Sequence, residues 1–324
     1  MVTFTQIPDN NTPLGGAVVY AFACDEPQTV DLRVTEAESG TLLGVRRFVE
    51  VSAAECDIAP MLRRALRTTP ATGGTGLVSA ADRQVAARVE LCAEASEEVL
   101  ATAPGRIFPG CRTALTGPMI LTTMPENRLI APGEGDELLF FTAAAGTVTV
   151  TERSHNFLMV HRYPVSGAGL WLFRLDMRNF STAESVTVDA GACGTVRYTV
   201  AAVPDGAVRL AWRSGEGSVE QCTFPTVRSV SVAAEKQRAV GPDGHAGAAA
   251  ELERRELLVS AFEPAEVLEA LGEVLASPDV WRVADGEYEG VDVLTEEAVV
   301  RRCGTMSTLE LEIRPKRKNR MPWN

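Results

Sequence analysis

The chain has 324 residues, 45% of them apolar, which is enough to bury the cores of two or three domains. Its formal net charge of −12 disfavours a nucleic-acid partner, since phosphates would be repelled. No apolar run reaches about 18 residues and no signal peptide precedes the first strand, so neither a membrane span nor export is expected.

Residues 1–115 are predicted to form a first β-sandwich domain. Alternating apolar residues predict strands at 2–7, 17–24, 29–36, 42–51 and 84–93. Ser39-Gly40 predicts a hairpin turn between the third and fourth of them. A short helix is expected over 58–67, with Pro60 in its first turn, followed by a loop over 68–76.

Residues 116–240 are predicted to form a second, related β-sandwich domain. The same pattern predicts strands at 137–143, 146–153, 157–163, 169–176, 184–190, 194–202, 207–213 and 219–223. One more strand, 226–235, is expected to lead out of this domain.

Residues 241–324 are predicted to form a small α+β module with the order β-α-β-β-β-β and a basic C-terminal tail. The Gly/Ala-rich segment 239–253 reads as an exposed loop or linker. Beyond it the pattern predicts a strand at 253–262, an amphipathic helix at 264–277 that begins at Pro264, a hairpin at 280–293 turning on Asp285-Gly286, and two strands over 298–314 joined near Gly304. The fold class is therefore mainly β.

An internal duplication links the first two domains. Val34-Thr35-Glu36 matches Val150-Thr151-Glu152, and Arg47-Phe48 matches Arg162-Tyr163, at offsets of 114 to 116 residues. A period of this size is that of a whole small domain, so we infer two tandem β-domains of common descent. The duplicated blocks share a strand pattern and no set of reactive side chains.

The residue types that carry chemistry form no recognisable site. The seven cysteines are dispersed, which is typical of reduced thiols packed as small apolar groups. His155 and His161 are expected on one face of a strand as surface residues, with a shared metal as the alternative, and His245 is expected in solvent. Asp57 and Asp176 hold matching places in the two copies, which indicates a repeated turn or cap. We expect no catalytic residue, no metal, no cofactor and no small-molecule ligand.

Five basic residues in seven end this acidic chain, in the segment RPKRKNR at 314–320. The plain interpretation is a solvated tail. The alternative is an electrostatic contact with an acidic surface on another copy or a neighbouring subunit, to which a nearby tryptophan would add. The candidate partner contacts are Arg314, Lys316, Arg317, Lys318, Arg320 and Trp323.

Three blocks of the chain resemble proteins from tail and virion gene clusters of bacteriophages and prophages of Bacteroidetes. They are IPDNNTPLGGAVVYAFA followed by GVRRFVEVSAAECDIAPMLRR, then 207–237, then 274–302. Ser214 stands where that family has Asn after its tryptophan, and Trp212 is expected to be a packing residue. The resemblance implies a structural protein of the tail or baseplate type, located in a virion or in the cytoplasm of the producing cell, and it transfers no catalytic residue.

These observations favour a non-enzymatic structural component of a phage or prophage particle, with other copies of itself and neighbouring particle subunits as partners. Edge strands and the basic tail would be the contacts. A carbohydrate- or host-surface-binding, adhesin-like module is the alternative, with Trp171 or Tyr163 as the aromatic platform. A glycosidase is the third hypothesis, although no motif singles out a pair among the 43 acidic residues.

Overall fold

A computed structural model describes residues 1–94, 98–242, 244–300, 306–316 and 319–321, with the backbone alone at 235–239, 241, 245–251 and 319–321. The fold is mainly β and built from sandwich-like sheets, which confirms the predicted class. Within these residues no helix combines the length and the apolar character needed to cross a membrane.

The first part of the chain forms a bent sheet, sheet 1. Its elements are β1 (Val2–Gln6), β2 (Val19–Glu36), β3 (Leu42–Asp57), α1 (Ala59–Arg63), β4 (Gly76–Val78), β5 (Gln84–Ala93), β6 (Val99–Thr102) and β7 (Arg106–Pro109). All of these strands except β4 belong to sheet 1. The sequence divided β2 into two strands at its polar residues 25–28, but it is one strand whose register shifts there. The bend lets Tyr20 and Val34, from the two halves of β2, enter one core.

The second part of the chain forms a sandwich of two sheets. Its strands are β8 (Met119–Ile120), β9 (Asn127–Ile130), β10 (Gly135–Thr142), β11 (Gly146–Arg153), β12 (Leu158–Val165), β13 (Gly169–Asp176), β14 (Ser185–Asp189) and β15 (Thr195–Val200). Sheet 2 has the order β4-β13-β10-β8 and sheet 3 the order β12-β11-β14-β15-β9. Phe140 and Phe173 of sheet 2 pack against Val150 and Val188 of sheet 3.

The last part of the chain forms an eight-stranded sheet, sheet 4, and a helix that covers it. The elements are β16 (Val208–Arg213), β17 (Val219–Phe224), β18 (Thr226–Gly241), β19 (Gly244–Val259), β20 (Glu263–Pro264), α2 (Ala265–Gly272), β21 (Val280–Ala284), β22 (Glu287–Val293), β23 (Met306–Ser307), β24 (Glu310–Pro315) and β25 (Asn319–Met321). The order is β17-β16-β21-β22-β24-β19-β18, with β25 beside β19. Leu268 and Leu271 of α2 pack on Trp212 and Leu311.

Two expectations for this region need correction. Segment 239–253 is not a loop, because its described backbone completes the long hairpin of β18 and β19. Its small residues show no apolar alternation, so the sequence pattern does not predict a strand there. The strand forms because its backbone pairs with a partner strand. Strands β16 and β17 lie before the predicted boundary at 240 but pair into sheet 4. Asp285-Gly286 does form the predicted turn, with φ of +52° and +83°.

The two duplicated segments both form antiparallel strand pairs. In the first copy β2 pairs with β3 along one bent hairpin that brings Val19 opposite Asp57. In the second copy the corresponding pairs are divided between β11–β12 of sheet 3 and β10–β13 of sheet 2, where Gly135 lies opposite Asp176. The first strand of each hairpin has another strand on its other side, which is β5 for β2 and β14 for β11. Asp57 accepts a hydrogen bond from the backbone N–H two residues on (2.9 Å), and so does Asp176 (3.0 Å). The prediction of a repeated turn role for these two aspartates is confirmed.

Candidate functional site

Three acidic residues at the start of β10 form the centre of a buried charged junction between the sheets. Glu134, Asp136 and Glu137 come directly before the apolar run Leu138-Leu139-Phe140-Phe141. Side chains alternate along a strand, so Asp136 and Glu137 leave β10 on opposite faces. The sequence analysis did not single out these acids. Charged residues inside a strand that otherwise reads as fully buried were the signal.

Glu137 joins sheet 2 to sheets 1 and 4. Its carboxylate accepts hydrogen bonds from Arg83 Nη2 (2.8 Å), Ala71 N (2.9 Å) and Val219 N (3.0 Å). Both side chains of the Glu137–Arg83 pair are 0% exposed. Burial raises the pKa of Glu137, and Arg83 opposes that rise. The two side chains are therefore paired without access to solvent, and Arg83 also contacts Asp82 at 2.9 Å.

Asp136 forms the other half of the junction, on the side of sheets 3 and 4. Arg128 Nη1 donates to Asp136 (2.9 Å) and to Glu220 (3.3 Å), and the Tyr198 hydroxyl donates to Asp136 (2.9 Å). Burial alone would lower the pKa of Arg128, but the carboxylates of Asp136 and Glu220 outweigh it and raise that pKa. Burial, reinforced by Asp136, raises the pKa of Tyr198 well above its ordinary value. Arg128 and Tyr198 therefore both keep their protons near neutral pH.

Glu134 and Glu216 extend the charged contacts to sheet 4. Arg209 Nη1 donates to Glu134 (2.8 Å), and the hydroxyl of Thr223 donates to the same carboxylate (2.6 Å). Glu216 accepts from Thr113 N (3.1 Å) and lies 3.4 Å from Arg112 Nε. Together with the bonds of Asp136 and Glu137, these directional bonds fix the four sheets relative to one another, because each carboxylate accepts from donors in another part of the chain.

A cavity of about 210 Å³ lies beside this junction, between β9 and the start of α2. Arg128, Glu134, Arg209, Cys222 and Glu263 contribute to its wall, together with apolar residues. The two arginines are already paired with Asp136 and Glu134. Burial raises the pKa of Glu263. Across the described residues no cluster of three His, Cys, Asp or Glu side chains could hold a metal ion.

The histidines singled out from the sequence have separate surroundings. His155 lies before β12, is mostly exposed, and is 3.9 Å from Glu184. His161 lies within β12, 3.9 Å from Glu152, with its ring against Phe180. The expectation that they share one strand is wrong, because β12 begins only at residue 158. The backbone at residue 245 is part of β19.

Trp171 and Tyr163, the aromatic residues of the adhesin hypothesis, make contacts within the fold. The Trp171 indole donates to the backbone oxygen of Gly167 (3.0 Å). The Tyr163 ring packs edge-to-face on Phe173, with the ring centroids 5.2 Å apart. Trp212 is fully buried in the core of sheet 4, as expected for a packing residue. Glycan binding stays a prediction.

The basic segment is described only in part. Arg314 lies in β24 and pairs with Asp292 (2.7 Å) and Glu253 (3.1 Å), so internal contacts take up its charge. Lys316 is 3.7 Å from Asp279. The backbone of Arg320 is part of β25. The other three candidates, Arg317, Lys318 and Trp323, are outside the described residues. A partner contact for these residues stays a prediction.

Unpaired sheet edges are the second feature that could serve a function. Within the described residues β3 pairs with β2 alone, and β12 pairs with β11 alone. These are the same strand in the two copies of the hairpin. Both expose apolar side chains, which are Leu42, Val45 and Val49 on β3 and Leu158, Met159 and Val160 on β12. An open edge with apolar side chains is a template for pairing with another chain.

Strand β18 is a third open edge. It is the last strand of sheet 4 and pairs with β19 alone in the described part of the chain. Every side chain from 228 to 234 is exposed, including Val230 (49%) and Val232 (61%). The strand is 16 residues long, well above the usual five or six.

Comparison with known proteins adds no family. No protein-family model and no curated protein matches the chain. One solved structure that matches is described as the crystal structure of Dpr2 Ig1-Ig2 in complex with DIP-Theta Ig1-Ig3. It is 10% identical, covers 97% of this chain and 89% of that chain, and has a TM-score of 0.22. A TM-score this low carries no conclusion about fold, partner or function.

Proposed function

We propose that this protein is a non-enzymatic structural subunit of a phage or prophage particle, of the tail or baseplate type, and that it works by assembling with copies of itself and neighbouring subunits. The observation that carries the proposal is the pair of matching open edges on β3 and β12. Both expose apolar side chains at equivalent places in a duplicated hairpin. Both edges are open to a partner strand, and Arg46 and Arg47 on β3 and Pro164 on β12 restrict which strands can pair there.

The charged junction supports the same proposal. Its carboxylates and arginines bond to one another and to backbone groups. This arrangement gives a rigid frame, and a frame is what an assembling subunit needs if its edges are to meet a partner at fixed angles. The particle type rests on the resemblance of the three sequence blocks.

The test uses light scattering on the full chain, alone and with the products of its adjacent genes. We expect assembly with itself or with one of those products. The double variant Val45→Lys and Val160→Lys should lose the contacts made through β3 and β12, because each change places a charge on one of these open edges. Thr199→Lys is the matched control, since Thr199 is exposed on β15, which has strands on both sides.

A chain that stays monomeric at high concentration and binds no neighbouring gene product would contradict the proposal. Mass spectrometry of purified particles from the source organism tests the particle type independently. Absence of the chain from every such particle would remove the phage assignment.

A further inference from the structure

We infer that β18 pairs with β18 of a second copy, antiparallel and centred on Ser231, so that two sheets 4 become one sheet across a two-fold axis. This inference rests on the proposed assembly function and names one interface and its partner. It starts from the open outer edge of β18, which pairs only with β19 in the described residues. An edge strand offers unused backbone N–H and C=O groups to any strand that can approach.

Strand β18 lacks the features that usually protect an edge. From residue 229 to 234 the sequence is Ser-Val-Ser-Val-Ala-Ala, with no charge and no proline. Of the two charged residues that flank this stretch, Arg228 is neutralised by Glu310 at 2.7 Å, and the other is Glu235. By contrast, β3 carries Arg46 and Arg47, and β12 carries Pro164. Charges and proline are the common devices against edge pairing, so β18 is the least protected of the three edges.

The charges behind the edge are also neutralised. Val230 and Val232 lie beside Glu256 and Arg254 of β19, which form an ion pair at 3.0 Å. On the opposite face Ser231 lies beside Arg255, which pairs with Glu253. A second copy that approaches β18 therefore meets balanced pairs on both faces. This matters because two copies with a net charge of −12 repel each other elsewhere.

The side-chain pattern identifies the second copy as the partner. In an antiparallel pair centred on Ser231, Val230 faces Val232 of the other copy, and Ser229 faces Ala233. Each contact occurs twice by symmetry, as in any two-fold interface. β-branched residues directly opposite each other stabilise an antiparallel pair, and no like charges meet. The strand is complementary to itself in this one register.

A cysteine cross-link tests the register on the full chain. Residues directly opposite in an antiparallel pair have Cα atoms about 4.5–5.5 Å apart, which a disulfide can span. Ser231→Cys should therefore form a covalent dimer under mild oxidation, and its mass should double on a non-reducing gel. Ser229→Cys is the matched control, because its two copies would be about 14 Å apart at roughly 3.4 Å per residue. The wild type gives the background from the native cysteines, and of the six that the structure describes five are buried.

Charge changes test the same register without cysteine. Val230→Lys with Val232→Lys should abolish dimers at this edge, and so should Val230→Glu with Val232→Glu. A mixture of the two variants should restore them. A single chain that carries Val230→Lys and Val232→Glu should also dimerise, because in this register each lysine faces a glutamate. Both positions are exposed outside the core, so folding should not change.

The outcomes separate this inference from the proposed function. If the wild type assembles but Ser231→Cys cross-links no faster than Ser229→Cys, the β18 pairing is wrong and the assembly function stands. If all the charge variants assemble like the wild type, the pairing is wrong as well. If the wild type is monomeric at every concentration and binds no neighbouring product, both ideas fail.

Discussion

The junction at β10 and the open edge at β18 use charge in opposite ways. At the junction, charged side chains are buried and Glu137 and Arg83 have no solvent contact. At the edge, six exposed residues in succession carry no charge. Directional bonds suit the junction because they can be satisfied in one arrangement of the sheets only. Backbone pairing suits the edge because it needs a matching strand and no repulsion.

This difference separates the residues that hold the subunit together from those that join subunits. Changes at the junction should alter the free energy of unfolding and leave the chemistry of the edge untouched. Changes at the edge should alter assembly and leave unfolding nearly unchanged.

Glu137→Gln should cause the largest loss of stability. The amide keeps the size of the side chain but removes the fully buried carboxylate that faces Arg83 Nη2, so that the partly exposed Asp82, 2.9 Å from Arg83 Nη1, is the counter-charge that remains. Breaking a buried pair by removing one partner costs about 3–5 kcal/mol. Urea denaturation followed by circular dichroism measures this cost. Glu94→Gln is the control, because that carboxylate is more than half exposed and lies 3.8 Å from Arg47. A loss below about 1 kcal/mol for Glu137→Gln would show that the junction does not hold the sheets.

Tyr198→Phe should cause an intermediate loss. The change removes the hydroxyl that donates to Asp136 at 2.9 Å and keeps the ring in the sandwich core. A buried hydrogen bond to a charged group contributes about 1.5–3 kcal/mol. Tyr163→Phe, on the same sheet, is the matched control and should change the free energy of unfolding by much less. Equal effects of the two changes would contradict the role assigned to the Tyr198 hydroxyl.

Asp57→Ala should cost about 1 kcal/mol, in the usual range for losing a side chain that caps backbone N–H groups. Its carboxylate accepts from Val18 N (2.8 Å) and Ala59 N (2.9 Å). Asp176→Ala should cost more, because Asp176 also forms an ion pair with Arg178 (2.6 Å). Thermal unfolding of the two variants measures the order. The reverse order would show that the equivalent turns are not equivalent in energy.

The sequence was sufficient to predict what depends on local pattern. Strand alternation placed β11 and β13 within a residue or two of their bounds, and Asp285-Gly286 placed its turn. The duplication led directly to the matching turns at Asp57 and Asp176. The sequence failed where pairing partners decide the structure. The Gly/Ala-rich segment 239–253 contains the end of β18 and the first part of β19. No pattern in its sequence reveals that these two strands pair.

The junction could not be predicted for a related reason. Arg83 and Glu137 are 54 residues apart, and neither lies in a motif. Their pairing depends on how sheet 1 meets sheet 2, and a single sequence does not fix the order or contact of sheets. The acids before β10 were visible as an anomaly, because charged residues rarely enter a strand that is otherwise wholly apolar.

The smallest effect at neutral pH is expected for Tyr20→Phe. The Tyr20 hydroxyl is buried in the core of sheet 1 and has no hydrogen-bond partner among the described residues. Removing an unsatisfied buried group should leave the protein as stable as the wild type or slightly more stable. Thermal unfolding at pH 7 measures this, and a clear loss would reveal a partner for the hydroxyl.

The same variant should matter more in alkali. Burial raises the pKa of Tyr20 from 10.0 to about 12, although Arg106 opposes the rise. The unfolded chain therefore ionises first, so this tyrosine contributes its full stability below pH 10 and loses it as the pH rises towards 12. Burial, reinforced by Glu216, raises the pKa of Cys111 from 9.0 to about 12 and adds a loss that starts near pH 9. Both proteins keep Cys111, so the two curves should diverge only between about pH 10 and 12, where the wild type should lose stability faster than Tyr20→Phe. Parallel curves would mean that the hydroxyl reaches water in the folded state, because only a buried phenol resists ionisation in this way.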